Sequence, residues 1–89
     1  MKIKDGFMLK EVAGTYLVVP IGSEVVDFSK MITTNETGAF LWNLIQDDQT
    51  VTTLIEKLRE KYDVSENVAF KDVLDFIRVL AVEQILVHE

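Results

Sequence analysis

The stretch Thr34-Asn35-Glu36-Thr37-Gly38-Ala39-Phe40-Leu41-Trp42 decides the fold. It reads as the end of a strand, a helix N-cap and the first turns of a helix that buries aromatic side chains. Asn35 is a preferred cap, because its side-chain oxygen accepts from N–H groups that a first helical turn leaves unpaired. Glu36 sets a negative charge at the positive end of the helix dipole. Asn35 is therefore the joint between an extended region and a helical one.

Upstream of the joint the pattern is β. Phe7 to Val12 is a strand candidate, and Ala13-Gly14 is a turn. Thr15 to Pro20 is a second strand, rich in β-branched and aromatic residues. Two such runs across a two-residue glycine turn predict a hairpin. Pro20 has no N–H for a ladder, so it ends the second strand or lies at its edge. Between Ile21 and Lys30, Gly22-Ser23 breaks the pattern, yet Val25, Val26 and Phe28 are too apolar for a fully exposed loop. The segment is read as a loop with Phe28 under the sheet. Met31-Ile32-Thr33-Thr34 is a short third strand leading into the cap.

Downstream the pattern predicts three helices. The first runs from Asn35 to about Gln46, with Phe40, Leu41, Leu44 and Ile45 as its buried face. After the polar break Asp47-Asp48-Gln49, Thr50 caps a second helix with Val51, Leu54, Ile55 and Leu58 on one stripe. Tyr62-Asp63-Val64 ends it. Ser65 caps a third helix that runs to about Glu83. Its core stripe is Phe70, Val73, Ile77 and Leu80, with Leu74 and Ala81 on one margin and Phe76 on the other. Ile85-Leu86-Val87 is an apolar tag expected to fold back onto the body. The sum is an α+β, winged helix-turn-helix-like domain: a small three-stranded antiparallel sheet at the N-terminal side, then a three-helix bundle.

At 89 residues the chain is expected to form one domain over residues 1–89. With 48% hydrophobic and 27% charged residues, its composition is that of a globular chain and excludes disorder over most of the length. No apolar run approaches the ~20 residues that span a bilayer. Met1 to Asp5 carries basic residues without a following apolar region, so a signal peptide is not expected. There are no cysteines, which excludes disulfides, thiolate metal sites and cysteine nucleophiles and fits a cytoplasmic protein. The net charge of −6 repels a phosphate backbone unless cations cluster. The densest group, Lys57, Arg59 and Lys61, is interleaved with Glu56, Glu60 and Asp63 and reads as a solvated helix face.

Nothing in the chain reads as catalytic machinery. The single histidine, His88, is the penultimate residue. The carboxylates are scattered at helical surface spacing, so no pair is set for acid–base work. Asp72 and Asp75 share a helix face, but two carboxylates make a weak cation site. The glycines form no phosphate-cradling loop. No enzyme, cofactor or metal is expected.

The chain resembles the PqqD family, also called RiPP recognition elements. The resemblance is carried by Asn35-Glu36-Thr37-Gly38-Ala39-Phe40-Leu41-Trp42, Thr50-Val51, Tyr62-Asp63-Val64 and Asp72-Val73-Leu74-Asp75-Phe76, in order and at family spacing. There are two departures. Where many relatives place a glycine before the last apolar tag, this chain has Gln84, so a looser or extended end to the third helix is expected. The Ile21–Lys30 segment is longer and more apolar than a simple turn, which leaves the pairing of the third strand open.

What the resemblance implies is a non-catalytic peptide chaperone of natural-product biosynthesis. It would bind the leader of a ribosomally made precursor peptide and present it to a modifying enzyme, a radical SAM enzyme being the common case. The implied mode is β-augmentation at the edge of the third strand, with the third helix as groove wall. Carried onto this chain, Met31, Ile32 and Thr33 would supply backbone pairing, and Asp72, Asp75, Phe76 and Val79 would read side chains. Val68, Val79 and Val82 fall outside the helix's core half, which is itself a sign of contact beyond the helices. Two other readings stand beside this one. A winged-helix DNA-binding regulator would use the third helix for recognition, but Lys71 and Arg78 there face Glu66, Asp72, Asp75 and Glu83. A structural dimerisation module would pair the open edge with a second copy.

Overall fold

The computed structural model describes residues 1–21 and 32–87. Strand β1 is Lys2–Ile3, β2 is Phe7–Val12, β3 is Thr15–Pro20 and β4 is Ile32–Thr34. Helix α1 is Glu36–Leu44, α2 is Val51–Tyr62 and α3 is Glu66–Val82, and strand β5 is Leu86–Val87. Phe28, Met31 and the penultimate His88 lie outside the described residues. No described helix is long and apolar enough to cross a membrane.

The hairpin forms as its turn chemistry requires. Val12 pairs with Thr15, leaving Ala13 and Gly14 as a two-residue loop. Both have positive φ, 52° and 81°, which is the geometry whose twist matches the strands it joins. Strand β4 pairs antiparallel with β3, not with β2, in the register Tyr16↔Thr34, Leu17↔Thr33 and Val18↔Ile32. The sheet order is β2-β3-β4, so β4 is an edge. The buried cross-strand pair Val18 and Ile32 fixes this register, because a slip of one residue would turn Ile32 to solvent.

Each helix begins on the cap its sequence announces. Gly38 N–H donates to Asn35 Oδ1 at 2.8 Å, Thr53 N–H to Thr50 Oγ1 at 3.1 Å and Val68 N–H to Ser65 Oγ at 3.3 Å. Helix α2 ends on Asp63, whose left-handed backbone (φ 51°) turns the chain toward α3. Phe40 and Tyr62 meet edge to face at 5.8 Å between ring centroids, joining the middle of α1 to the end of α2. Their junction is partly dry: burial, then the nearby Glu36 carboxylate, raises the Tyr62 phenol above its usual pKa.

The end of α3 differs from expectation. Gln84 takes φ 59°, Gln84 N–H donates to Ala81 O at 3.1 Å, and Ile85 N–H donates to Leu80 O at 2.9 Å. That pair of bonds is a Schellman motif. The helix end is therefore neither loose nor extended. Glutamine occupies the position that glycine would fill without strain, and the buried side chains of Ile85 and Leu80 fasten the stop. The tag beyond it folds back, but onto a partner the sequence did not suggest. Strand β5 pairs with β1 in the register Lys2↔Val87 and Ile3↔Leu86.

The buried line of α3 is also rotated from the expected one. It runs through Ala69, Val73, Phe76 and Leu80, whereas Phe70 is 49% exposed and Ile77 is half-buried. Apolar residues surround much of this helix, so periodicity alone does not choose its inward face. Packing chooses it: α3 lies most extensively on α2, and the line that is buried carries the small Ala69 where the expected line carries the bulky Phe70. The core is completed by Trp42, Leu41 and Ile45 of the α1 region, Leu54 and Leu58 of α2, and Ile3 and Leu86 of the terminal strands. Trp42 stands outside the face of Phe40, Leu41, Leu44 and Ile45 that spacing predicts for α1, yet it is almost wholly buried.

Candidate functional site: an open strand edge beside a cleft

Strand β4 has β3 on one side and no strand on the other among the described residues. In an antiparallel ladder alternate residues turn both N–H and C=O away from the partner. The outer side of β4 therefore presents backbone groups that another extended chain can take. The strand is only three residues long, and its middle residue, Thr33, is exposed.

A cleft of about 370 Å³ opens beside this edge. One wall is β4 itself, Ile32, Thr33 and Thr34, continued by Asn35, Thr37 and Gly38 at the start of α1. The other wall is α3, through Asp72, Asp75, Phe76 and Val79, and Leu41 closes the bottom. Of the residues singled out in the sequence, Ile32, Thr33, Asp72, Asp75, Phe76 and Val79 are thus gathered on one cleft, and Met31 lies outside the described residues.

The two walls approach each other closely at Gly38. A Cβ placed on Gly38 would collide with Thr34 Oγ1 and stand 3.2 Å from Phe76 Cε1. Glycine here lets the first turn of α1 close on the strand before it and on the ring from α3. Phe76 is consequently both a core residue and part of the cleft floor. Thr34, Asn35, Thr37, Gly38 and Leu41 also line the cleft, beyond the residues that the sequence points to. The sequence does carry a signal for some of them: 37, 38 and 41 share one face of α1, and a glycine in a first turn marks a close approach.

The cleft has an apolar floor, a polar strand wall and a carboxylate rim. Asp72 is half-buried and Asp75 exposed. Lys71 donates to Asp75 Oδ2 at 3.0 Å, a bond that raises the lysine's pKa, helped by the Asp75 charge. Both partners are solvated, so the pair is weak and exchangeable. The arrangement offers backbone pairing, an apolar seat and negative charge. It is suited to holding an extended polypeptide.

The family model of coenzyme PQQ synthesis protein D (PqqD) matches residues 8–86. No curated protein matches the chain. Among solved structures, TbiB1 in complex with the TbiA(beta) leader peptide aligns with a TM-score of 0.73 at 18% identity. The alignment covers 100% of this chain and 98% of that one. At that identity the likeness establishes a shared fold.

Proposed function

This chain belongs to the PqqD family, and from that premise we propose that it is a non-catalytic peptide-binding module. It holds the leader segment of a ribosomally made precursor peptide by strand addition and presents the rest to a modifying enzyme, of which a radical SAM enzyme is the family's common case. The observation that carries this reading is the unpaired edge of β4 lying directly along a cleft walled by α3. TbiB1, which has the same fold, is itself a leader-peptide complex.

Magnitudes say which part of the site must do most. An edge of three residues offers a few backbone hydrogen bonds, each contributing ~0.5–1.5 kcal/mol net. Micromolar affinity needs about 8 kcal/mol, after the ~4 kcal/mol or more lost on association. Strand pairing sets direction and register, and the balance has to come from side chains seated in the cleft, at ~1.5–3 kcal/mol for each large apolar group buried.

No observation favours the DNA-binding alternative. The cleft side of α3 presents Asp72 and Asp75, which repel phosphates. The test of the peptide-binding reading is a titration of isotope-labelled chain with the leader of its precursor peptide. Amide shifts confined to β4, the first turn of α1 and α3, with micromolar or tighter affinity, are expected. A folded chain that shows no shift at saturating precursor disproves the reading.

A further inference from the structure

The cleft-facing side of α3 has a charge order of its own. At about 100° per residue, Val68, Asp72, Asp75, Val79 and Val82 fall on one line along the helix. That line stands about a third of a turn from the buried one. Its valines are exposed, Val68 at 46%, Val79 at 43% and Val82 at 76%. Two carboxylates occupy the middle of the line and valines flank them. Among the described residues Asp72 has no ion-pair partner, and the partner of Asp75 is solvated Lys71. The whole chain adds a field of the same sign, with net charge −6.

We propose that the cleft selects an extended peptide carrying Lys or Arg two residues away from a branched aliphatic or aromatic residue. The apolar side chain sits over Phe76 and Val79, and the cation lies between Asp72 and Asp75. This rests on the peptide-binding reading above and adds its selectivity.

Geometry sets the spacing. In a strand added to β4, alternate side chains point the same way about 7 Å apart. From Val79 to Asp75 and Asp72 is about 6 and 10 Å along the helix axis, so neighbours two apart in the peptide reach the two features. Charge sets the sign. A peptide Asp or Glu at the second position would bring like charges together in a partly desolvated cleft, which rejects acidic segments as firmly as the cation is accepted.

The full chain is panned against a displayed library of random short peptides, and selected peptides are then synthesised. Selected sequences are expected to carry Lys or Arg two residues from an aliphatic or aromatic residue. Replacing that cation by Gln in the peptide, or making Asp72→Asn with Asp75→Asn in the protein, is expected to weaken binding about tenfold. The two changes together are expected to cost little more than either alone, the mark of a direct pair. Both asparagines are close in shape to the residues they replace, and circular dichroism checks the fold. Peptides that shift the cleft amides without a basic preference, or that bind the Asn variant equally well, overturn the inference and leave the peptide-binding function standing. If no peptide binds the folded chain, both fall. If the cleft amides shift with the chain's own concentration, the occupant is a second copy and the inference is overturned.

Discussion

Gly38 of α1 and Phe76 of α3 approach so closely that a side-chain carbon on the glycine would stand 3.2 Å from the phenylalanine ring. The contact ties the strand–helix joint to the opposite wall of the cleft. It makes one glycine answerable for both packing and site shape.

Gly38→Ala is accordingly expected to destabilise the fold by ~1–3 kcal/mol, the usual cost of overpacking. The better helix propensity of alanine, ~0.5–1 kcal/mol, offsets only part of it. Thr34 must turn its hydroxyl away, and the Phe76 ring must shift. Denaturant midpoints of the two proteins measure the loss. A variant as stable as the parent would show that the walls give way freely.

The end of α3 predicts a gain. Gln84 holds φ 59° inside a complete Schellman motif, a conformation that costs a residue with a side chain ~1–2 kcal/mol. Gln84→Gly removes that strain and gives back part of the gain in unfolded-state entropy. A net stabilisation of about 1 kcal/mol is expected, a rise in Tm of ~4–8 °C for a domain of this size. Calorimetry reads it directly.

Two phenylalanines six residues apart on α3 should behave in opposite ways. Phe76 is buried and Phe70 half in water. Phe76→Ala is expected to cost ~3–5 kcal/mol, whereas Phe70→Ser stays within about 1 kcal/mol, as surface changes do. Equal losses in urea melts would mean that the helix is rotated toward the stripe read from sequence.

Val79→Arg tests the site without touching the core. The residue lines the cleft and is 43% exposed, so stability should change by no more than ~0.5 kcal/mol. A bulky cation there fills the seat proposed for the peptide's apolar side chain and should attract Asp75 one turn away. Affinity for a leader peptide is expected to fall about tenfold or more, measured by fluorescence anisotropy. Unchanged affinity would move the binding surface elsewhere.

The sequence exposed those parts of the molecule whose causes are local. The hairpin over Phe7–Val12 and Thr15–Pro20 and the caps at Asn35, Thr50 and Ser65 stand where the residues placed them. A cap is a bond between a side chain and an amide three residues on, and a two-residue turn needs only its own φ angles. The cleft was half legible for the same reason. Asp72, Asp75, Phe76 and Val79 lie within two helical turns, so helical spacing alone groups them. Their meeting with Ile32 and Thr33 rested on a family resemblance and on no pattern within the chain.

What only tertiary structure decided was every choice made between distant segments. Strand β1 pairs with β5 across almost the full length of the chain, and two residues on each side leave no periodicity to find. Helix α3 carries apolar groups on several sides, and α2 selected the line through Ala69 over the line through Phe70. Strand β4 could have paired with either member of the hairpin, and the Val18–Ile32 contact chose β3. The physical reason is common to all three. Short-range hydrogen bonds depend on neighbours in the chain, while burial depends on which surfaces fit together in space, and that fit is settled only when the whole core assembles.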